Sequence, residues 1–198
     1  MYILWYNNIG DYMKVNVGIS NRHVHLNNDD YKLLFGDTPF TKRNDLTQPG
    51  LFASDLTVTI AGPKRSIPNV RVLGPNRSYT QVEVSKTDSY TLGINPPVRN
   101  SGDLSGASQI TIIGPKGTIT RDAAIVASRH IHVDKNIRKE HNLEGIDMVS
   151  VKMGGEKSGI INNVYLRDTE EAYFELHLDT DDANAFLLKQ GDEVEIII

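Results

Sequence analysis

The sequence predicts a mainly β protein of the small-barrel type, built from a duplicated unit and capped by short α-helices. Three observations carry that prediction. Apolar residues fall in short β-branched runs closed by Gly-Pro or Gly-Gly turns, at Gly62-Pro63, Gly74-Pro75, Gly114-Pro115 and Gly154-Gly155. Helical patterning is confined to four brief segments. The chain also repeats itself: Gly18-Ile-Ser-Asn-Arg-His-Val-His-Leu26 returns as Val126-Ala-Ser-Arg-His-Ile-His-Val133, and Thr57-Val-Thr-Ile-Ala-Gly-Pro-Lys64 returns as Ile110-Thr-Ile-Ile-Gly-Pro-Lys116. Two halves in matching order indicate duplication, since solenoid repeats are shorter and more numerous.

In chain order, strands are expected at Val15–Ile19, Leu56–Ile60, Val70–Leu73, Gln81–Val84, Gln109–Ile113, Ala124–Ala127, Met148–Val151 and Glu193–Ile198. Helices are expected at Asp29–Phe35, Thr87–Leu92, Lys135–Asn142 and Asp181–Lys189. Each follows an Asn, Ser, Thr or Asp whose side chain can cap the free N–H groups of a first turn. Three run into a glycine suited to a C-cap, namely Gly36, Gly93 and Gly191.

Composition sets bounds. The chain has 198 residues, 21 Lys plus Arg against 25 Asp plus Glu, a formal net charge of −4, and no cysteine. The absence of cysteine removes disulfide scaffolds, CxxC redox sites, Cys-based zinc fingers and cysteine nucleophiles. The acidic balance argues against a nucleic-acid coat. No stretch is apolar for long enough to span a bilayer, so no membrane partner is expected and the default compartment is the cytoplasm. Residues 1–14 form an N-terminal extension that reads equally as a loose start, an extra strand or a docking peptide.

The four helix starts share a finer pattern. Each follows a strand that ends on a potential metal ligand, one apolar residue and a cap: His25-Leu26-Asn27, Glu83-Val84-Ser85, His132-Val133-Asp134 and His177-Leu178-Asp179. Five of the six histidines lie in these segments: His23, His25, His130, His132 and His177. Residues i and i+2 of a strand face the same way, so each His-x-His pair can present two imidazoles to one cation. A third imidazole or a carboxylate completes a common Zn²⁺ set with one position open. Nitrogen and oxygen ligands also suit Co²⁺, Ni²⁺, Mn²⁺ or Fe²⁺. A lone His-x-His is ordinary on a strand edge; two of them inside a duplicated motif, with a further His and a Glu in register, point to metal.

Other motifs read as ordinary chemistry. His141 reads as a surface residue, and Lys64, Arg65 and Lys116 as exposed turn residues. Asp179-Thr-Asp-Asp182 lacks the spacing of a calcium loop and fits acids in a helix's first turn. No dinucleotide or P-loop fingerprint occurs.

The combination of Gly18–Leu26, Gly74-Pro-Asn-Arg-Ser-Tyr-Thr-Gln-Val-Glu-Val-Ser85, Pro97-Val-Arg-Asn-Ser-Gly-Asp-Leu104, Ser128-Arg-His-Ile-His132 and His177-Leu-Asp-Thr-Asp-Asp-Ala-Asn184 resembles the phosphate propanoyltransferase family of propanediol utilisation, the PduL-type phosphotransacylases. The resemblance runs from about Val15 to the C-terminus. It implies a pair of small β-barrels capped by short α-helices, with residues 15–45 and 117–198 in one barrel and 46–116 in the other. It implies two zinc ions between the barrels, one on His23, His25 and Glu83, the other on His130, His132 and His177. It implies Arg77 as the phosphate ligand and catalytic residue. The implied reaction exchanges acyl-CoA, of the propanoyl or acetyl class, plus phosphate with acyl phosphate plus CoA. Without cysteine, direct attack of phosphate on the thioester fits better than an acyl-cysteine intermediate. Because the net charge repels polyanionic CoA, local cations must recruit it.

The resemblance further implies a homodimer and leaves open residence in a bacterial microcompartment with shell proteins as partners. Packaged members carry an amphipathic N-terminal extension and linker, whereas residues 1–14 are short and run apolar from Tyr2 to Tyr6. Two other readings use the same ligands. A zinc hydrolase acting on thioesters, esters or amides would need no phosphate, and a metal-binding scaffold would need no anion-binding arginine.

Overall fold

The computed structural model describes residues 13–170 and 173–198. In chain order the elements are β1 (Lys14–Ser20), β2 (His23–His25), α1 (Asn28–Phe35), β3 (Lys42–Asp45), β4 (Phe52–Ala61), β5 (Ser66–Gly74), β6 (Gln81–Glu83), α2 (Lys86–Leu92), β7 (Val98–Arg99), β8 (Ser108–Ile113), β9 (Thr118–Ala127), β10 (His130–Val133), α3 (Lys135–Glu140), β11 (Met148–Met153), β12 (Gly159–Asp168), β13 (Glu175–Asp179), α4 (Thr180–Ala185) and β14 (Glu193–Ile197). No helix among the described residues is long and apolar enough to cross a membrane. The reading of residues 1–14 falls almost wholly on 1–12, outside the described residues.

Two six-stranded barrels result. The first closes in the order β1-β13-β10-β12-β11-β14. The second runs β9-β6-β2-β5-β4 and closes through β8, which pairs with both β4 and β9. The two orders superimpose strand for strand. In each, a short His-x-His strand pairs antiparallel with a ligand strand on one side (β10 with β13, β2 with β6) and parallel with a longer strand on the other (β10 with β12, β2 with β5). The duplication in the sequence is therefore a duplication of pairing pattern.

The pairing redraws the expected barrel limits. Residues 15–45 do not stay together: β1 joins the first barrel, while β2 and β3 pair with strands of the second. Residues 117–198 are divided likewise, because β9 pairs with β6 and β8. The backbone groups of β1 find their partners on β13 and β14, and those of β9 on β6 and β8, so each repeat gives its leading strand to the other repeat's barrel. The chain crosses between barrels at Asn21-Arg22 and again at Ser128-Arg129, directly before each His-x-His.

Two apolar cores follow from strand alternation. One gathers Val24, Leu26, Leu34, Phe35, Ile60, Val72, Val82, Leu92, Ile110 and Ile112; the other gathers Val17, Ile131, Val133, Val151, Met153, Val164, Leu176 and Leu178. The central residues of the His-x-His strands, Val24 and Ile131, point into the barrels and are fully buried. The flanking histidines are thereby turned outward.

α3 starts where expected, at Lys135, and α1, α2 and α4 each start one residue earlier than expected, directly after the anticipated caps. Asn27, Ser85, Asp134 and Asp179 each accept from N–H groups of their first turn, and Ser85 and Asp88 complete a reciprocal capping box. α3 and α4 end earlier than the apolar pattern indicates. Asn142 and Leu187 take left-handed conformations (φ 55° and 56°), and the following N–H groups bond back to Arg138 O and Ala183 O at 2.8 and 2.9 Å. That closure satisfies the last carbonyls without a glycine. β12 lies outside the expected strands because Asn162-Asn163 interrupts its apolar alternation, and Asn163 sits at φ 59° where the pairing with β11 shifts register.

Ile131 is buried at the centre of β10, so Ile131→Ala is expected to lower unfolding free energy by about 2–4 kcal/mol through a cavity the barrel cannot close. Ile160→Ala, at a side chain 57% exposed, is expected to cost under about 0.5 kcal/mol. Denaturant unfolding of both variants checks the contrast.

Candidate metal centre and anion site

The outward faces of the two ligand-bearing strand pairs meet in one cavity of about 440 Å³. His23, His25 and Glu83 form one group and His130, His132 and His177 the other, with the potential ligand atoms of each group within 4.8 Å of one another. Register explains the grouping. His23 lies directly opposite Glu83, and His130 directly opposite His177, so the third ligand always comes from the antiparallel neighbour. The ring centroids are 4.9 Å apart for His23–His25, 4.9 Å for His130–His132, 5.0 Å for His130–His177 and 4.8 Å for His132–His177.

The donor chemistry fits a divalent cation. Nδ1 of His23 lies 2.8 Å from Asn21 O, and Nδ1 of His130 lies 2.9 Å from Ser128 O. A carbonyl only accepts, so each Nδ1 carries the proton and each Nε2 keeps its lone pair for a ligand. Nδ1 of His25 is buried with no hydrogen-bond partner, a state that normally costs free energy. Burial, reinforced by His177, pushes the His130 imidazole down to about 4; burial, reinforced by His130, pushes that of His132 down to about 3. Burial and the neighbouring His23 hold His25 well below its usual range. These rings are neutral at neutral pH, the form that coordinates metal. Burial opposes charge on both His23 and Glu83, yet their mutual attraction at 3.5 Å wins, raising His23 and holding Glu83 well below the carboxylate range.

A supporting shell, which sequence reasoning missed, is duplicated too. Gln81 stands opposite His25, and Glu175 occupies the same position opposite His132. Gln81 Nε2 donates to Glu83 Oε1 at 2.6 Å, while Glu175 accepts from His177 Nε2 at 2.9 Å and from the Tyr173 hydroxyl. Each therefore steers the third ligand of its group. Arg22 grips Asp88 at 2.7–2.8 Å, and Arg129 grips Asp182 at 2.7–2.8 Å in the same two-pronged geometry. The sequence signal was available: an arginine precedes each His-x-His, and an aspartate sits three residues after the caps Ser85 and Asp179. Asp181 accepts from Thr87 N at 2.8 Å and ties α4 to α2. The acids of 179–182 are thus occupied with capping, an arginine and a neighbouring helix.

Arg77 lines the same cavity. Its Nη1 donates to Tyr79 Oη at 2.9 Å and Ser101 Oγ at 3.2 Å, and its charge adds to burial and His23 in lowering His25 and only partly offsets the rise that Glu83 gives His23. Two hydroxyls hold the guanidinium without neutralising it. His141 caps the end of α3 and stacks near Phe174, in neither group.

Arg129→Ala removes a two-pronged bond that ties the crossing segment to α4 and leaves Asp182 unpaired. The expected loss is about 1–3 kcal/mol of unfolding free energy. Arg129→Lys should recover less than half of it, since an ammonium lacks the planar fork. An unchanged denaturation midpoint in Arg129→Ala would deny the strut its role.

The family model for phosphate propanoyltransferase matches residues 16–189. A phosphate propanoyltransferase of Rhodopseudomonas palustris (strain BisB18) is 46% identical over 188 residues, covering 94% of this chain and 83% of its own length. One from Thermotoga maritima is 47% identical over 184 residues, covering 91% and 88%. One from Salmonella typhimurium (strain LT2) is 45% identical over 175 residues, covering 85% and 81%. With the match extending from β1 through the segment after α4, and both histidine strands inside it, this chain belongs to the phosphate propanoyltransferase family.

Proposed function

We propose that this chain exchanges acyl-CoA plus phosphate with acyl phosphate plus CoA by direct attack of phosphate on the thioester, using two zinc ions, one on His23, His25 and Glu83 and one on His130, His132 and His177. The observation that carries the reading is the opening of both ligand groups and Arg77 onto one cavity. The acyl group is of the propanoyl or acetyl class, propanoyl being the group that the relatives' names give.

Arg77 acts on the nucleophile. Its planar guanidinium can grip two phosphate oxygens at once, and Tyr79 and Ser101 fix its orientation beforehand. Bound metal would supply Lewis acidity to the thioester carbonyl and offset the charge of the approaching phosphate. Gln81 and Glu175 hold the third ligands in place, and the buried neutral imidazoles keep their lone pairs unprotonated. The absence of cysteine rules out an acyl-cysteine intermediate and supports a single displacement.

Metal analysis of the dialysed protein is expected to give about two transition-metal ions per chain, because two separate three-ligand sets are assembled. A content near zero with activity surviving strong chelation would sink the metal-centred mechanism. CoA release from acyl-CoA should require inorganic phosphate; equal release in phosphate-free buffer favours the zinc hydrolase. Arg77→Ala should keep its metals while kcat/KM for phosphate falls at least tenfold, about 1.4 kcal/mol, since each charge-assisted bond contributes about 1.5–3 kcal/mol. Arg77→Lys should recover part. Normal phosphate kinetics in metallated Arg77→Ala would remove this residue from the mechanism.

A further inference from the structure

Four arginines line the cavity: Arg22, Arg71, Arg77 and Arg167. Three are engaged. Arg22 is paired with Asp88, Arg71 Nη1 donates to Ser54 O and Asp55 O, and Arg77 Nη1 donates to two hydroxyls. Arg167 is half-buried on β12 and finds neither a hydrogen-bond acceptor nor a carboxylate within 4.0 Å among the described residues. It is paired in register with His132, so both side chains leave the sheet on the same face. Burial and the neighbouring imidazoles lower His130 and His132, and the charge of Arg167 adds to both effects.

A half-buried cation beside three imidazoles able to hold another cation is a like-charge arrangement, favourable only when an anion lies between. The duplicated framework did not place it there. By register the equivalent of Arg167 is Leu73, opposite His25. Arg77, in turn, stands six residues before Glu83, where the other half has Glu171 six before His177. The two guanidinium groups therefore serve opposite ligand groups from non-equivalent positions, which suits two different anions better than one anion held twice.

We propose that Arg167 is a catalytic residue whose guanidinium donates to the thioester carbonyl oxygen, most strongly once phosphate attack has turned that oxygen into the tetrahedral oxyanion. The inference rests on the acyltransferase reading. A phosphate oxygen forms the new C–O bond, and the carbonyl π pair moves onto the oxygen facing Arg167. On collapse that pair re-forms C=O, the C–S bond breaks, and its electrons leave on the CoA thiolate, which takes a proton from solvent as the hydrogen phosphate gives its own up to solvent. The phosphates of CoA are a pantetheine arm away from this carbon, so a guanidinium beside His132 is matched to the charge that develops at the reacting centre.

The test compares wild type, Arg167→Ala and Arg167→Lys as full-length, metal-loaded proteins. It measures metal content, steady-state kinetics with acyl-CoA and phosphate varied, and calorimetric binding of inorganic phosphate. For Arg167→Ala, kcat should fall about a hundredfold, the usual effect of deleting an oxyanion donor. Its KM for phosphate and its phosphate affinity should stay within about twofold of wild type. Metal content should be unchanged, and Arg167→Lys should regain part of kcat. A kcat within about threefold of wild type overturns the proposal. So does weakened phosphate binding, which would make Arg167 a second phosphate ligand, and so does loss of metal, which would make it structural. Failure of the acyltransferase reading itself is seen in a different sample: wild type would then release CoA equally without phosphate.

Discussion

The pleat of two short strands is the constraint on which the rest of the molecule depends. In β2 and β10 the middle residue, Val24 or Ile131, is fully buried in a barrel core. Because successive side chains must leave opposite faces, His23, His25, His130 and His132 are obliged to face the space between the barrels. Core packing thus sets the geometry of the imidazoles. A slip of one residue in either strand would bury histidines among aliphatic side chains and expose the valine or isoleucine. Both the desolvation of imidazole and the loss of apolar burial oppose it.

The exchange of leading strands makes the site rigid in a way that two separate barrels would not be. Each crossing segment runs straight from a strand of one barrel into the His-x-His strand of the other, and its arginine is clamped to the helix that follows the third ligand. The carbonyls of Asn21 and Ser128, on these same crossings, fix the tautomers of His23 and His130. Movement of one barrel relative to the other would therefore disturb ligand orientation, helix capping and the α2–α4 contact together. Site geometry and barrel docking are one problem.

Duplication supplied the scaffold and divergence supplied the chemistry. At the third-ligand position one half has Glu83 and the other His177; at the steering position one has Gln81 and the other Glu175. A carboxylate in the ligand set lowers the charge that a dication would present, whereas three imidazoles leave it undiminished. The two ligand groups thus differ in electrostatic character although their backbones match. The arginines break the symmetry further, with Arg77 on a turn near one group and Arg167 on a strand near the other. A reaction that brings a charged nucleophile to a polarised carbonyl needs two unlike ends, and an exact repeat would offer two like ones.

Much of this was legible in the sequence. β-Branched runs and Gly-Pro turns announced the strands, the caps at Asn27, Ser85, Asp134 and Asp179 announced the helix starts, and the recurrent ligand-apolar-cap pattern announced His25, Glu83, His132 and His177 as candidate ligands, with the His-x-His spacing adding His23 and His130. Those signals are local: propensity, alternation and capping act within a few residues. What tertiary structure decided was partnership. That β1 and β9 change barrels, that Gln81 and Glu175 steer the third ligands, that Arg22 and Arg129 clamp helices 66 and 53 residues away, and that Arg167 faces the cavity with no protein acceptor among the described residues all depend on which backbones pair. Strand pairing joins residues far apart in the chain, and nothing in the composition of one strand names the strand that will accept its hydrogen bonds.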